Sequence, residues 1–352
     1  MKISIGTNIK DGPWGGGNLF AINLKKYLID KNHSVIHHLL DDDIDVILMT
    51  EPRKTSESSA FTDKDIKKYI KYTNPESLVV HRINECDERK QTNYVNQLLI
   101  KANKVAHYTV FVSKWLQILY LNQGLGKENS IVIKAGADKK IFNPSNKSSY
   151  LANNKIKIVT HHWGGNWNKG FEVYDKLDKL LISEKWKDKI EFTYIGNLPK
   201  NYKFKNTNYV TPRSGYELAE ILKRNDIYVT GSLNEPSGNH HIEAAQCGLP
   251  LLYIDSGGIP EYCEGYGVKF HADNFEEKLE EIILDYPIYI EKIKKYNMNS
   301  DVMSADFLEV FLKMYKNKEI YTSKNDLTQN KIERIIYNLK RKFAKRNQIN
   351  EI

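Results

Sequence analysis

Two glutamates, Glu235 and Glu243, stand eight positions apart in the stretch 233–250, "LNEPSGNHHIEAAQCGLP". The preceding "DIYVTGS" (226–232) has the apolar, β-branched and aromatic content of a strand, so Glu235 falls just past its carboxyl end. Pro236, Ser237 and Gly238 break the chain direction, and a helix is predicted from about Asn239, with Ser237 and Asn239 as candidate N-caps. Glu243 then lies about one turn inside that helix. The free backbone N–H groups of Gly238, Asn239, His240 and His241, together with the helix dipole, favour an anion such as a phosphate. Glu243 can reach back to a ribose diol, as acidic residues do in nucleotide-binding folds. Ala244, Ala245 and Gly248 permit close packing of the helix on a strand. His240 and His241 either touch such a ligand or sit beside the amides that do.

Three further stretches carry chemistry of the same kind. In "THHWGGNWNKGFEVY" (160–174), Lys169 stands at a helix start, placed to meet a diphosphate, and Gly170 permits close approach. In "DGPWGGGNLF" (11–20), Gly15, Gly16 and Gly17 let the backbone come close to a ligand, although no dinucleotide fingerprint is complete. In "VVHRINECDERK" (79–90) a strand ends in a knot of polar groups. His81 is the candidate site residue there, and Arg82 and Asn84 are candidates for acceptor or phosphate contact. Asp87, Glu88, Arg89 and Lys90 read instead as a solvated helix start. "DDDIDV" (41–46) reads as a solvated turn between two strands rather than a metal site, and no His/Cys spacing suggests zinc.

The elements that must position these residues alternate. Strands are predicted at 2–6, 34–40, 45–49, 77–83, 108–113 and 130–136, with helices at 18–31 and about 89–104. An Asn- and Ser-rich linker (142–154) follows, and the alternation restarts at 155. The fold class is therefore α/β, two doubly wound parallel sheets in tandem, with ligands beyond the strand ends in a cleft between them.

"EPSGNHHIEAAQCGLPLLYIDSGGIPE" (235–261) resembles the nucleotide-binding signature of the retaining glycosyltransferases of family 4, whose fold is GT-B, two Rossmann-like domains facing each other. Their Glu-x7-Glu pair matches Glu235 and Glu243. The resemblance implies that Glu235 lies near the donor sugar, that Glu243 binds the nucleotide ribose, and that Ser256 to Glu261 form a loop beside the donor. It implies that His81 contacts the donor sugar, and that Gly15–Gly17 face the donor phosphates and the acceptor. It further implies an N-terminal acceptor-side domain (1–145), a nucleotide-sugar-binding domain (146–320) and a helix crossing back near 303–320. The donor would be a UDP- or GDP-sugar and the acceptor a glycan, a lipid-linked sugar or a protein, in surface-polysaccharide or glycoconjugate synthesis. No cofactor or metal would be obligatory, and the leaving phosphate would accept the acceptor's proton in a front-face departure. One departure stands out: the family's phosphate-binding Arg, five residues before the Lys, is here Gly164. A nucleotide-sugar epimerase of the same fold, or a non-catalytic nucleotide-sugar-binding relative, are the alternatives.

The net charge of +8 sits mainly in residues 331–346, "KIERIIYNLKRKFAKR", so the rest of the chain is close to balanced and a nucleic-acid partner is not expected. In this tail (321–352) Ile332, Ile335, Ile336, Leu339 and Phe343 recur at helical spacing among basic residues, a pattern that lies on anionic membranes. Packing of the stripe on the body, or a disordered end, would also fit. Three scattered cysteines and no run of about 20 apolar residues point to a cytoplasmic setting, with peripheral contact on the inner face of the membrane.

Overall fold

The computed structural model describes the chain except residues 11, 13, 14, 127, 148–153, 324, 326–330 and 351–352, and describes 348–350 by backbone only. Part of the glycine-rich loop and residues 148–153 of the 142–154 linker thus lie outside the described residues.

Strands fall where apolar runs too short for helices are bounded by turn residues. They are β1 (Lys2–Ile5), β2 (Ser34–Ile36), β3 (Val46–Met49), β4 (Leu78–Ile83), β5 (Tyr108–Phe111), β6 (Ser130–Val132), β7 (Ile156–His162), β8 (Ile190–Gly196), β9 (Asn208–Val210), β10 (Ile227–Thr230), β11 (Leu251–Ile254) and β12 (Gly267–Phe270). Helices are α1 (Gly16–Asp30), α2 (Asp63–Tyr72), α3 (Asp87–Lys90), α4 (Val95–Asn103), α5 (Lys114–Asn122), α6 (Phe171–Leu180), α7 (Gly215–Lys223), α8 (Asn239–Gln246), α9 (Ile259–Cys263), α10 (Phe275–Leu284), α11 (Tyr286–Ile293), α12 (Ser300–Lys316), α13 (Lys318–Thr322) and α14 (Lys331–Asn350).

The strands form two six-stranded parallel sheets, in the orders β2-β1-β3-β4-β5-β6 and β12-β11-β10-β7-β8-β9. Parallel sheets covered on both faces require strands apolar on both faces, and β3, β4, β5, β10 and β11 are buried at every position. The second order, counted within its own half, is 3-2-1-4-5-6, and it reverses direction between β7 and β10. In such sheets the crevice at the reversal, beyond the strands' carboxyl ends, receives ligands.

The helix expected over 89–104 is broken in two. Gln91 adopts φ 55°, and the Asp87 carboxylate accepts from the backbone N–H groups of Tyr94, Val95 and Asn96. Asp87 thereby supplies the N-terminal cap of α4.

After the second sheet the chain returns to the first. Asn299 caps α12 by accepting from Asp301 and Val302 N–H. The helix then buries Met303, Phe307, Val310, Phe311 and Met314 in one core with Ile3, Ile5, Phe20, Leu24 and Val80. The rings of Phe307 and Phe20 are 5.1 Å apart. The acidic turn at 41–43 is not simply solvated. Asp41 pairs with Lys2 and Lys345, and Asp42 with Arg341, so this turn is a socket for α14.

The returning helix contributes to the first domain's core, so Phe307→Ala should destabilise the protein by about 3–5 kcal/mol, the cost of removing a buried aromatic ring. Chemical denaturation followed by circular dichroism measures it; a loss below about 1 kcal/mol would mean that α12 is a dispensable appendage.

Candidate functional site

A cavity of about 610 Å³ opens between the carboxyl ends of the two sheets, well within the range of small-molecule sites. The first domain contributes Gly15, Gly16 and Gly17 from the start of α1, and Arg82, Asn84, Glu85 and Arg89 from the end of β4 onward. The second contributes His161, His162, Gly164, Asn166 and Lys169 after β7, Arg213 and Ser214 before α7, and Glu235, Ser237, Gly238, Asn239, His240 and Glu243 between β10 and α8.

The segment from β10 to α8 has the strand, break and helix the sequence predicts, with one change at the cap. Gly238, not Ser237 or Asn239, is the N-cap, with φ 75° and no side-chain hydrogen bond to the helix. A Cβ at Gly238 would meet His240 at 2.7 Å, His241 at 2.9 Å and Glu235 at 3.0 Å, so only glycine fits this bend. The helix start therefore presents its N–H groups and positive dipole end to the cavity without a side-chain cap.

Glu235 is 5% exposed and tied on every side. It accepts from Lys169 Nζ at 2.6 Å, from Arg89 Nε at 2.8 Å and from Ser232 Oγ at 3.0 Å. Burial alone would raise its pKa, but Lys169 and Arg89 outweigh burial and hold it well below the carboxylate range. Burial in turn lowers the Lys169 pKa against the pull of Glu235, whereas Glu235 raises that of Arg89. Glu85 takes Arg89 and Lys90, each at 3.1 Å. Three cations, Lys169, Arg89 and Lys90, thus pair with two carboxylates, Glu235 and Glu85, so this cluster carries one surplus positive charge.

A turn below, Glu243 Oε2 lies 2.9 Å from His161 Nε2. His162 lies against Tyr174 OH at 2.6 Å, and His240 against Thr230 Oγ1 at 2.9 Å. The rings of His162 and His240 are 4.5 Å apart, and those of His240 and His241 4.8 Å. Burial, reinforced by nearby His and Lys169 charge, lowers the pKa of His162 and His240 well below the usual value. These rings are neutral at neutral pH and offer uncharged donors and acceptors.

Three candidates lie elsewhere. His81 is fully buried, 2.8 Å from Asn103 Oδ1, and does not line the cavity. Side chains alternate along a strand; Val80 and Arg82 face α1, where the Arg82 guanidinium lies 3.9 Å over the Phe20 ring, so His81 faces the opposite layer. His241 is likewise buried, edge-on to Tyr262. Gly170, at φ 100°, serves packing: a Cβ there would meet the Gly231 backbone at 2.7 Å. The 256–261 loop does not line the cavity either. The Gly258 N–H donates to Glu235 O at 2.8 Å, and the Glu261 carboxylate accepts from Lys114 and Trp115 N–H at the start of α5. The loop braces Glu235 and joins the domains. Asn166, His161 and His162, the residues the sequence offers in place of the Arg missing at Gly164, all line the cavity, whereas Arg213 has no sequence signal and Arg89 reads there only as helix-start charge. Arg89 lies in the polar knot at 79–90, but it stands 146 residues from its partner Glu235.

The buried neutral histidines set an acid limit on stability. His81, His162, His240 and His241 all have folded pKa values below the unfolded one, with His81 at about 4 and His241 at about 3, because burial disfavours the charged ring. Below about pH 6.5 the unfolded chain binds protons that the folded chain refuses, so stability is full above that pH and falls as pH drops. Each such ring adds about 1.4 kcal/mol per pH unit between its two values. Denaturation midpoints between pH 7.5 and 5 should decline with an uptake of several protons on unfolding, and His81→Asn should flatten the slope. A pH-independent midpoint would show these rings to be solvated.

Residues 180–300 match the family model described as glycosyl transferases group 1. The chain is 28% identical to N,N'-diacetylbacillosaminyl-diphospho-undecaprenol α-1,3-N-acetylgalactosaminyltransferase of Campylobacter jejuni, over 63% of each protein. It is also 28% identical to the gpi3 subunit of the phosphatidylinositol N-acetylglucosaminyltransferase of Schizosaccharomyces pombe, over 32% of this chain and 25% of that one. The chain thus spans less than two thirds of the length of either curated relative. Among solved structures, a glycosyltransferase from Rickettsia africae superposes with TM-score 0.65 at 15% identity, and the catalytic domain of Arabidopsis thaliana starch synthase IV, bound to ADP and acarbose, with 0.66 at 12%. Each alignment covers 90% of this chain and 99% of the other. Anabaena HepE in complex with UDP and glucose gives 0.60 at 13% over the same shares. The chain has the two-domain GT-B fold, and its second domain carries the group 1 glycosyltransferase match.

Proposed function

We propose that this protein transfers a sugar from a nucleotide-diphosphate sugar to an acceptor hydroxyl, with retention at the anomeric carbon. The observation that carries the reading is the convergence on one cavity of the uncapped start of α8, the cation Lys169 and the two glutamates. The bond from the anomeric carbon to the leaving phosphate oxygen breaks, and the acceptor oxygen bonds to that carbon on the same face. The acceptor's proton passes to the departing phosphate. Negative charge then grows on the diphosphate, where preformed N–H dipoles and cations stabilise it without reorganising.

In this reading the α8 N–H groups and Lys169 hold the diphosphate, and Gly15–Gly17 close over it. Arg89 supplies the second cation that Gly164 does not. Glu243, oriented by His161, takes the ribose hydroxyls. Glu235 stays ionised between its two cations and faces the developing oxocarbenium charge of the sugar. Arg82 and Asn84 line the first-domain wall, on the acceptor side. A lipid-diphosphate-linked glycan is the acceptor class favoured, in line with the name of the Campylobacter relative; donor and acceptor would meet on the cytoplasmic side.

Purified protein incubated with UDP-, GDP- and TDP-sugars, with and without polyprenyl-diphosphate glycans, should release nucleotide only when donor and acceptor are both present. Sugar isomerisation without release would indicate an epimerase, and binding without either a non-catalytic relative. Glu243→Ala should weaken nucleotide affinity by roughly 10- to 100-fold, the worth of a charged hydrogen bond. Arg89→Ala should weaken nucleoside diphosphate by a similar factor while sparing the nucleoside, with Arg89→Lys recovering part. Glu235→Ala should act mainly on turnover, lowering kcat by roughly a hundredfold. Wild-type affinity and rate in all three variants would refute the assignment.

A further inference from the structure

The last helix is docked the opposite way round from an ordinary surface helix. At about 100° per residue, Ile332, Ile335, Ile336, Leu339 and Phe343 of α14 form one face, and Tyr337, Arg341 and Lys345 the other. The polar face is the one packed on the body. Arg341, 6% exposed, donates to Leu40 O and pairs with Asp42. Lys345 pairs with Asp41 at 2.6 Å. Asn338 bonds to the backbone of Tyr72 and to the Thr73 hydroxyl, and the Tyr337 ring lies 5.5 Å from that of Tyr72.

The apolar face is left in water. Ile335 is 60% exposed, Ile336 48%, Leu339 52% and Phe343 62%. Lys340, Lys342 and Arg346 are exposed and flank the stripe on both edges, and α2, on which α14 rests, exposes Lys64, Lys67 and Lys68. An apolar stripe bordered by cations matches the boundary of a bilayer, with acyl chains under the stripe and anionic headgroups beside the flanks. A second copy of this chain would bring the same cations against each other, so charge complementarity selects the lipid. No helix among the described residues is long and apolar enough to cross a membrane, which leaves contact along the surface.

We propose that the outward face of α14 is a docking surface for an anionic lipid bilayer, held there by its polar face on the first domain. The proposal does not rest on the transfer reaction.

Full-length protein is sedimented with phosphatidylcholine vesicles, with and without phosphatidylglycerol, at low and high salt. Wild type should bind the anionic vesicles and release as salt rises. Combined Ile335→Ser, Leu339→Ser and Phe343→Ser should weaken binding roughly tenfold or more at an unchanged melting temperature, because these side chains face solvent. Lys340→Glu, Lys342→Glu and Arg346→Glu together should weaken it by roughly a hundredfold, at about fivefold per cation. Donor binding should be unchanged in both. The proposal is overturned if wild type ignores phosphatidylglycerol or if the serine variant binds as well as wild type. It is equally overturned if wild type is an oligomer that the serine changes make monomeric while vesicle binding is nil.

Discussion

The Glu235 carboxylate, buried between Lys169 and Arg89, is the constraint on which the site depends. A buried charge persists only when it is paired and fully hydrogen-bonded. Here the two pairs come from different domains: Lys169 from the loop after β7, and Arg89 from α3 beyond β4. The full pairing of the buried Glu235 carboxylate therefore requires both domains to be in place. The same contact keeps Arg89 beside Lys169, whose mutual repulsion Glu235 screens. An anion entering between these cations joins a cluster that already carries one surplus positive charge. The glutamate is thus a charge spacer that holds two cations near each other and ready.

The joint between the domains is built from the segment next to the site. The Glu261 carboxylate sits on the N-terminus of α5, where the helix dipole favours it. Tyr262 OH donates to Val112 O and accepts from Ala135 N–H, and Lys134 donates to Glu261 O. Gly257 and Gly258 press against the backbone of Glu235 and Pro236, where a Cβ would stand 2.3–2.6 Å from their carbonyl oxygens. A rotation that parts the domains must strain this joint and break Arg89 from Glu235 together. Opening and loss of the charge cluster are one event in this geometry.

The sequence exposes the parts of this arrangement that are local. Parallel strands read as apolar runs because both faces are covered, and the Glu235–Glu243 spacing survives into the structure because one strand end, one bend and one helix turn set it. What escapes is set by contacts between distant segments. Arg89 reads as helix-start charge because its partner lies 146 residues away. His81 and Arg82 are adjacent, both polar and both near a strand end. Only knowing which layer α1 occupies tells that the arginine enters the cavity and the histidine does not. The glycine at 238 replaces two better capping residues beside it because the bend leaves no room for a Cβ, which composition alone does not reveal.

The same reasoning explains why the tail's stripe reads ambiguously. Periodicity identifies an amphipathic helix but not the direction in which it faces. Ordinarily apolar burial decides, since each large side chain removed from water contributes about 1.5–3 kcal/mol. The α14 helix forgoes that gain at four positions. What turns it round is the acidic turn at 41–43, which offers carboxylates where a body contact would otherwise offer apolar surface. Lys345 and Lys2 hold the Asp41 pKa down at about 2, and Arg341 is buried on the Leu40 carbonyl and Asp42. Partly exposed ion pairs are individually weak, so this orientation rests on the buried Arg341 and on the Tyr72–Tyr337 contact more than on charge count. A helix held by its polar side keeps its apolar side free for a second medium, and the fold places the acids of β2–β3 where they produce that inversion.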